Sequence, residues 1–524
     1  MKATQIRRVD WRFLLPTPSS GRFHHLVIVG ANSTLADVSQ RVGLAARVTR
    51  RLSRDDPADV IAVVGGKRPL AQLDEATRCL APGGVVYVEV DRRPRSNVLL
   101  TPGRLARFLA CRGLPISRAY WVKPALDAAE MYLPLEPGES MKWYLETLFT
   151  PITPIRRAAR AILARVPAAL FGMVVPSYAL VAGQRPLVPA PVTEEQFGAT
   201  ADEPSVIMLT DNGERVVLLP LHDGRPRRAV KVAKQPEFGA KTTHEHDVLV
   251  QLHARLDPQL AASLPRPVSI GTHHGLVVAA ESLVEGTSLL SLVGTWPFDR
   301  RRQVAMLREA TAWLIRFHLA TLDRRIAVTT REASQWLWPP LDEFRAAFGL
   351  TEAEERFDFH LGALIPSDAD LALPLAWQHN DFTVGNVWRS SEGIRVIDWE
   401  GGRVGPVLTD LLYLVSTWHD TARGIRSVDE KLAGFRRVFI DARPVDPLAQ
   451  AARAEVRRYC RSLGVSRQLV APLLAVTWSR LAVGHRARSI ALGESSGTGR
   501  SGNVAAAYFD LIAQHTDALT ARWA

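Results

Sequence analysis

Cysteine is scarce in this chain: 524 residues include only Cys79, Cys111 and Cys460, and none forms a CxxC pair. That excludes a disulfide framework and a cysteine-built zinc site, and it points to a reducing compartment. Acidic residues are also in deficit, 53 against 65 basic ones, which leaves a net charge of +12 and a pI near 10.0. The excess is scattered arginine rather than blocks, and no zinc-finger spacing or aromatic RNA-binding signature accompanies it, so nucleic acid is not an expected partner. Long apolar runs are nearly missing too. The one candidate, VPAALFGMVVPSYALVAG at 166–183, contains Pro167, Gly172, Pro176 and Tyr178, which work against a spanning helix. It is expected to be a buried helix end followed by a core strand. Arg156, Arg157, Arg160 and Arg165 precede it, and peripheral membrane contact by this Arg-rich segment is the lesser reading. The opening MKATQIRRVDWRF lacks the apolar region of a signal peptide, so a cytoplasmic location is expected.

The composition, 47% hydrophobic and 23% charged, is that of a soluble globular protein, and the length implies two or three domains. In the first 190 residues the apolar runs HLVIVG (25–30), ADVIAVVGG (58–66) and VVYVEV (85–90) alternate with helical patterns, the signal of a parallel α/β sheet. CLAPGGVVYVEV resembles the strand after a Pro-Gly-Gly turn in class I methyltransferases. RFLACRGLPISRAYWVKP resembles their later helix and strand, and SYALVAGQRP their last, antiparallel strand, with a helical insertion at 140–170 between them. The resemblance implies a Rossmann-like domain, yet the turn GANSTLA has one glycine and AARVTRRLSR has no acid for a ribose. A degenerate domain that does not bind S-adenosylmethionine is therefore the preferred reading.

The stretch PLVPAPVTEEQFGATADEPS at 186–205 is rich in Pro, Ala and acids and lacks apolar periodicity, as a linker does. The expected division is 1–190, a linker at 191–205, a β-rich lobe at 206–290 and a chiefly helical lobe at 291–524. Three β-rich runs, VIMLT, VVLLPL and RAVKVAK, are separated by the turn signals DNGE and HDGRP and predict an antiparallel meander. Lys231 stands in the third run, and Glu245 follows in a predicted helix. Lys234 and Lys241 stand near that lysine in the chain, and Glu237 or Asp247 are alternative partners for it.

The most informative string is HNDFTVGNV followed by VIDWE. It arranges His379, Asp381 and Asn386 as His-x-Asp-x-x-x-x-Asn and places Asp398 after the next strand. Phosphoryl transfer needs a carboxylate facing the attacking hydroxyl and oxygen ligands for Mg²⁺, and Asp381, Asn386 and Asp398 suit those tasks. The stretch resembles the catalytic and metal loops of the aminoglycoside phosphotransferase and choline kinase family, with Asn380 where that family usually has Gly. The resemblance implies a bilobal protein kinase-like fold and ATP or GTP with Mg²⁺ as cofactors. It implies Lys231 as the phosphate clamp oriented by Glu245, and Glu281, Ser282 and Leu283 as the segment reading the adenine edge. His379 and Asp410 would support the catalytic loop, although Asp410 also reads as an ordinary acid at a helix start.

The expected activity is phosphorylation of a hydroxyl on a small molecule. Arginines after Asp398, among them Arg423, Arg436 and Arg457, disfavour polycationic acceptors and favour a sugar or saccharide conjugate. Two alternatives stay open: a bifunctional protein with an active methyltransferase domain, and a pseudokinase scaffold without catalysis. Protein partners are not legible in the sequence.

Overall fold

The computed structural model describes residues 8–16, 22–30, 33–65, 69–92, 100–149, 154–167, 170–184, 204–209, 213–295, 299–328, 331–357, 371–443, 445–492 and 499–523. The chain forms two compact units. The first comprises Met1–Phe149, Ala158–His246 and Pro267–Leu283; the second comprises Thr150–Arg157, Asp247–Arg266 and Val284–Ala524.

In the first unit Phe23–Val29, Ala58–Val63 and Leu80–Asp91 pair in parallel, with Ala45–Thr49 parallel on the outer side of Phe23–Val29. The middle residues of Phe23–Val29, Ala58–Val63 and Leu80–Asp91 are apolar on both faces because both are covered, whereas the outer Ala45–Thr49 is partly exposed. Along Leu80–Asp91, Val85 and Tyr87 enter one core cluster, while Val86, Val88 and Val90 enter the other. The strand begins at Leu80, earlier than the apolar run suggests, and takes in the Pro-Gly-Gly turn at an irregularity of pairing between Ala58 and Val60. Gly84 is required there, since a Cβ would lie 2.8 Å from the Leu80 side chain and 2.9 Å from the Asp59 carbonyl oxygen. Ser177–Gly183 then inserts antiparallel between Leu80–Asp91 and Ile116–Lys123. Within the apolar run, Ser177–Gly183 is a fully buried strand, but the short helix Phe171–Val174 leaves Met173 and Val174 exposed and is not the buried helix end expected. No helix among the described residues is long and apolar enough to cross a membrane.

The sheet does not stop where the sequence suggested a linker. The expected linker, 191–205, lies almost wholly outside the described residues, but Ser205–Leu209 pairs antiparallel with Met131–Pro134, Met131 facing Met208 and Tyr132 facing Ile207. Met131–Pro134 would otherwise be an edge with open backbone groups, and the next segment satisfies them. The sheet continues through Arg215–His222, Arg228–Ala233 and Leu276–Ser282 to Pro267–His273, making 13 strands with the short Arg225–Pro226. The strands from Ser205 to Ser282 therefore share one sheet with the N-terminal region, while Asp247–Arg266 and the chain from Val284 fall in the second unit.

The second unit is mostly helical, with two three-stranded sheets: Thr287–Ser288, Val387–Ser390 and Gly393–Val396, and Leu322–Ala327, Ala372–Gln378 and Arg403–Pro406. The long helix Arg300–Ala320 buries Met306, Leu307, Ala310, Trp313, Leu314 and Phe317 at helical spacing. Trp313 and Phe317 are packing residues, stacked at 5.0 Å, and Trp313 also stacks on Phe382 of the loop carrying Asp381. That contact ties the core to the site.

Candidate active site

The second unit assembles the Asp381 loop from a hairpin and a buried carboxylate. Val387–Ser390 pairs with Gly393–Val396, Val387 facing Val396, so Asn386 just before the first strand comes beside Ile397 and Asp398 just after the second. The Ile397 amide donates to the Asn386 carbonyl at 3.1 Å. The Asn386 side-chain amide donates to Asp381 Oδ2 at 2.8 Å and to the Asp381 carbonyl at 3.0 Å, leaving the Asn386 amide oxygen for another partner. Asp398 has φ of +69°, a left-handed conformation that Asp tolerates better than most residues.

Asp410 settles the loop from behind. Its carboxylate accepts from the His379 amide at 2.7 Å and from the Asn380 amide at 2.8 Å. Burial works to raise its pKa, but His318 and His379 hold it below the ordinary value. Both readings of Asp410 meet here: it lies in the first turn of Thr409–Arg423 and it is the acceptor for the loop. Leu408, just ahead, has φ of +91°, an outlier for a bulky residue, and its amide is held by the Tyr459 hydroxyl at 3.1 Å. His379 is engaged by backbone on both sides of its ring: its Nε2 faces the Ile397 carbonyl at 2.9 Å and its Nδ1 faces the Asp381 amide at 3.2 Å.

The Asp381 carboxyl is pushed up to about 6, chiefly by burial and also by the charges of Asp398 and Glu400, against the opposing effects of His379 and Asn386. Three acids close in sequence thus build a negative site. Among the described residues no group of three or more His, Cys, Asp or Glu side chains is poised to hold a metal. An amide oxygen and one carboxylate nevertheless suit Mg²⁺, which usually takes one or two protein carboxylates and fills its remaining positions with phosphates and water.

In the first unit Lys231, on Arg228–Ala233, reaches Glu245, on the helix Gly239–Arg255, at 2.5 Å. Of the partners open in the sequence, Glu245 is the one that meets it, while Lys234 goes to Asp10 and Lys241 to Glu214. Two further residues join. Arg215 contacts the other Glu245 oxygen at 2.6 Å, and Glu281 contacts Lys231 at 2.8 Å, all four side chains being buried. Burial would raise the pKa of Glu245, but Lys231 and Arg215 hold it well below the usual carboxylate range. At the segment expected to read the adenine edge, the Glu281 carboxylate contacts Lys231, and the Leu283 amide donates to the Arg227 carbonyl at 3.1 Å. Ser282 pairs with Arg228 in the same ladder. Arg215 was not legible as a site residue, because a lone arginine opening a strand carries no spacing signal.

Asn380 explains its own departure from the resembling family. It has φ of +64°, where glycine is free and Asn is among the better tolerated alternatives, and its side chain donates to the Gly401 carbonyl at 2.7 Å. Both Asn380→Gly and Asn380→Val lose the hydrogen bond to Gly401, about 1 kcal/mol, but only Asn380→Val adds about 1–2 kcal/mol for the left-handed backbone, so its midpoint should be the lower. Equal midpoints for the two variants would show that this conformation is not held in solution.

Residues 210–459 match the model of the APH phosphotransferase enzyme family, a stretch that includes all of the residues just described except those before Thr210. The match covers just under half of the chain. No curated protein matches the chain. Similar solved structures include the macrolide 2'-phosphotransferase MphH from Brachybacterium faecium, at 17% identity over 57% of this chain and 89% of that one, TM-score 0.32. The aminoglycoside phosphotransferase APH(3'')-Id from Streptomyces rimosus is 16% identical over 52% of this chain and 92% of that one, TM-score 0.31. A choline/ethanolamine kinase family protein from Mesorhizobium loti is 13% identical over 59% of this chain and 87% of that one, TM-score 0.33. These likenesses are too distant for a substrate to be read from them.

Proposed function

We propose that this protein is an ATP- and Mg²⁺-dependent phosphotransferase that moves the γ-phosphate to a hydroxyl of a small molecule. The observation that carries the reading is the hairpin register that sets Asn386 and Asp398 side by side while Asn386 fixes the Asp381 carboxylate. Asp381 would orient the acceptor hydroxyl and take its proton. Asn386 and Asp398 would hold the metal, which when bound neutralises charge developing on the phosphates. Lys231, aligned by Glu245, would hold the α- and β-phosphates. A sugar or saccharide conjugate is the acceptor class the arginine-rich second unit favours, since polycations would be repelled.

The N-terminal region is proposed to be methyltransferase-like but unable to bind S-adenosylmethionine. In support, Ser177–Gly183 lies antiparallel beside Leu80–Asp91, as that resemblance implies, and the Ala45–Thr49 strand leads into Arg50 and Arg51 rather than an acid. The turn at 31–32 falls outside the described residues.

A thermal-shift panel with Mg²⁺–ATP, Mg²⁺–GTP and S-adenosylmethionine tests both proposals. Saturation at 100 times Kd should stabilise the native state by about 2.7 kcal/mol and raise the midpoint for a Mg²⁺–nucleotide. S-adenosylmethionine should give no shift. Stabilisation by S-adenosylmethionine would favour the bifunctional reading, and no response to either nucleotide would favour the scaffold.

A further inference from the structure

The Arg-rich segment acquires a function from its exposure. Pro154–Leu163 is a helix whose apolar residues Ile155, Ala158, Ala159 and Ile162 recur at helical spacing on one side, with Arg156 and Arg160 on the other. Ordinarily such a stripe is buried. Here Ile155 is 81% exposed and Ile162 66% exposed, while Leu163 at the margin of the stripe packs against the core of the first unit. Downstream, in Phe171–Val174, Phe171 turns inward but Met173 and Val174 are 58% and 51% exposed. Arg92 fastens that turn by donating to the carbonyls of Gly172, Met173 and Val175 at 3.2, 2.8 and 3.2 Å, so the outward side chains are presented from a fixed backbone.

Charge identifies the occupant. No acidic residue occurs between Glu146 and Glu194, whereas Arg156, Arg157, Arg160, Arg165 and Arg185 fall in that interval. A protein partner would ordinarily meet a mixed rim of both signs. A cationic amphipathic helix with bare apolar residues and no acid instead fits the boundary between anionic headgroups and acyl chains. We infer that this helix seats the protein on an anionic phospholipid bilayer, with Ile155 and Ile162 entering the boundary and Arg160 and Arg165 meeting headgroup phosphates. The surface is independent of the phosphotransferase reading.

Co-sedimentation of the full chain with vesicles tests it, comparing phosphatidylcholine alone with phosphatidylcholine containing phosphatidylglycerol. The wild type should partition onto the anionic vesicles and much less onto the neutral ones. Ile155→Ser with Ile162→Ser, and separately Arg160→Gln with Arg165→Gln, should each weaken that partitioning by about tenfold or more. Ile490→Ser, which alters an exposed isoleucine elsewhere, should bind as wild type does. Ile155, Ile162 and Arg165 are exposed and Arg160 is half-buried, so thermal midpoints close to the wild-type value verify that each variant is folded. Failure of the wild type to bind, equal binding to both vesicle types, or unchanged binding by both double variants would overturn the proposal. So would a concentration-dependent dimer that the isoleucine variant disperses, since the face would then belong to a second copy of the chain.

Discussion

Asp381→Asn is expected to lower Mg²⁺-dependent ATP turnover by about 10²–10⁴-fold, the usual contribution of a positioned base, while nucleotide affinity stays close to wild type. The substitution is nearly isosteric, and an amide oxygen at this position can still accept the hydrogen bond that Asn386 gives to Asp381 Oδ2. The backbone contact from the Asp381 amide to His379 Nδ1 does not involve the altered group, and Asp410 still holds the loop through the amides of His379 and Asn380. What is lost is the charge and the capacity to accept a proton. Asp398→Ala provides the contrast, because removing a charged metal ligand should reduce affinity and turnover together. Slow hydrolysis of ATP to water serves as the readout while the acceptor is being sought. Equal hydrolysis by wild type and Asp381→Asn would place the measured activity outside this site.

Asp10→Ala is expected to be the most destabilising single change in the first unit, costing about 3–5 kcal/mol. Asp10 and Lys234 form an ion pair in which both side chains are wholly buried, across 224 positions of sequence. The same short helix, Asp10–Leu14, stacks Trp11 on Tyr87 with centroids 4.6 Å apart, and Arg12 donates to the Lys234 carbonyl at 2.7 Å. Truncating Asp10 takes this carboxylate away from a buried ammonium that water cannot reach. Replacing both partners, Asp10→Ala with Lys234→Met, should recover most of the loss, since an apolar pair carries no desolvation penalty. Urea midpoints of the three proteins measure this. A loss below about 1 kcal/mol for Asp10→Ala would show the pair to be hydrated and the N-terminal segment loosely held.

The sequence by itself determined the features whose parts lie close together in the chain. His379, Asp381 and Asn386 are fixed by one loop, and Asp398 follows through a four-residue turn of strand, so their spacing reports their geometry almost directly. The same holds for the apolar runs that predicted buried parallel strands, because the sheet is covered on both faces at Leu26–Ile28, Val60–Val63 and Val85–Val90. Other outcomes required the tertiary structure. Asn380 looked like a departure until its backbone angle showed why glycine or asparagine belongs there. Asp410 could be a helix-start acid or a loop anchor until its two acceptor bonds showed it to be both. The contacts of Glu281 with Lys231 and of Arg215 with Glu245, and the Asp10–Lys234 pair, were not assigned from spacing, because buried charges choose partners by which side chains the fold excludes from water together. The meeting of Met131 with Met208, which carries the sheet past the expected boundary, has the same origin: an edge strand pairs with whatever backbone the fold delivers to it, and composition does not record that choice.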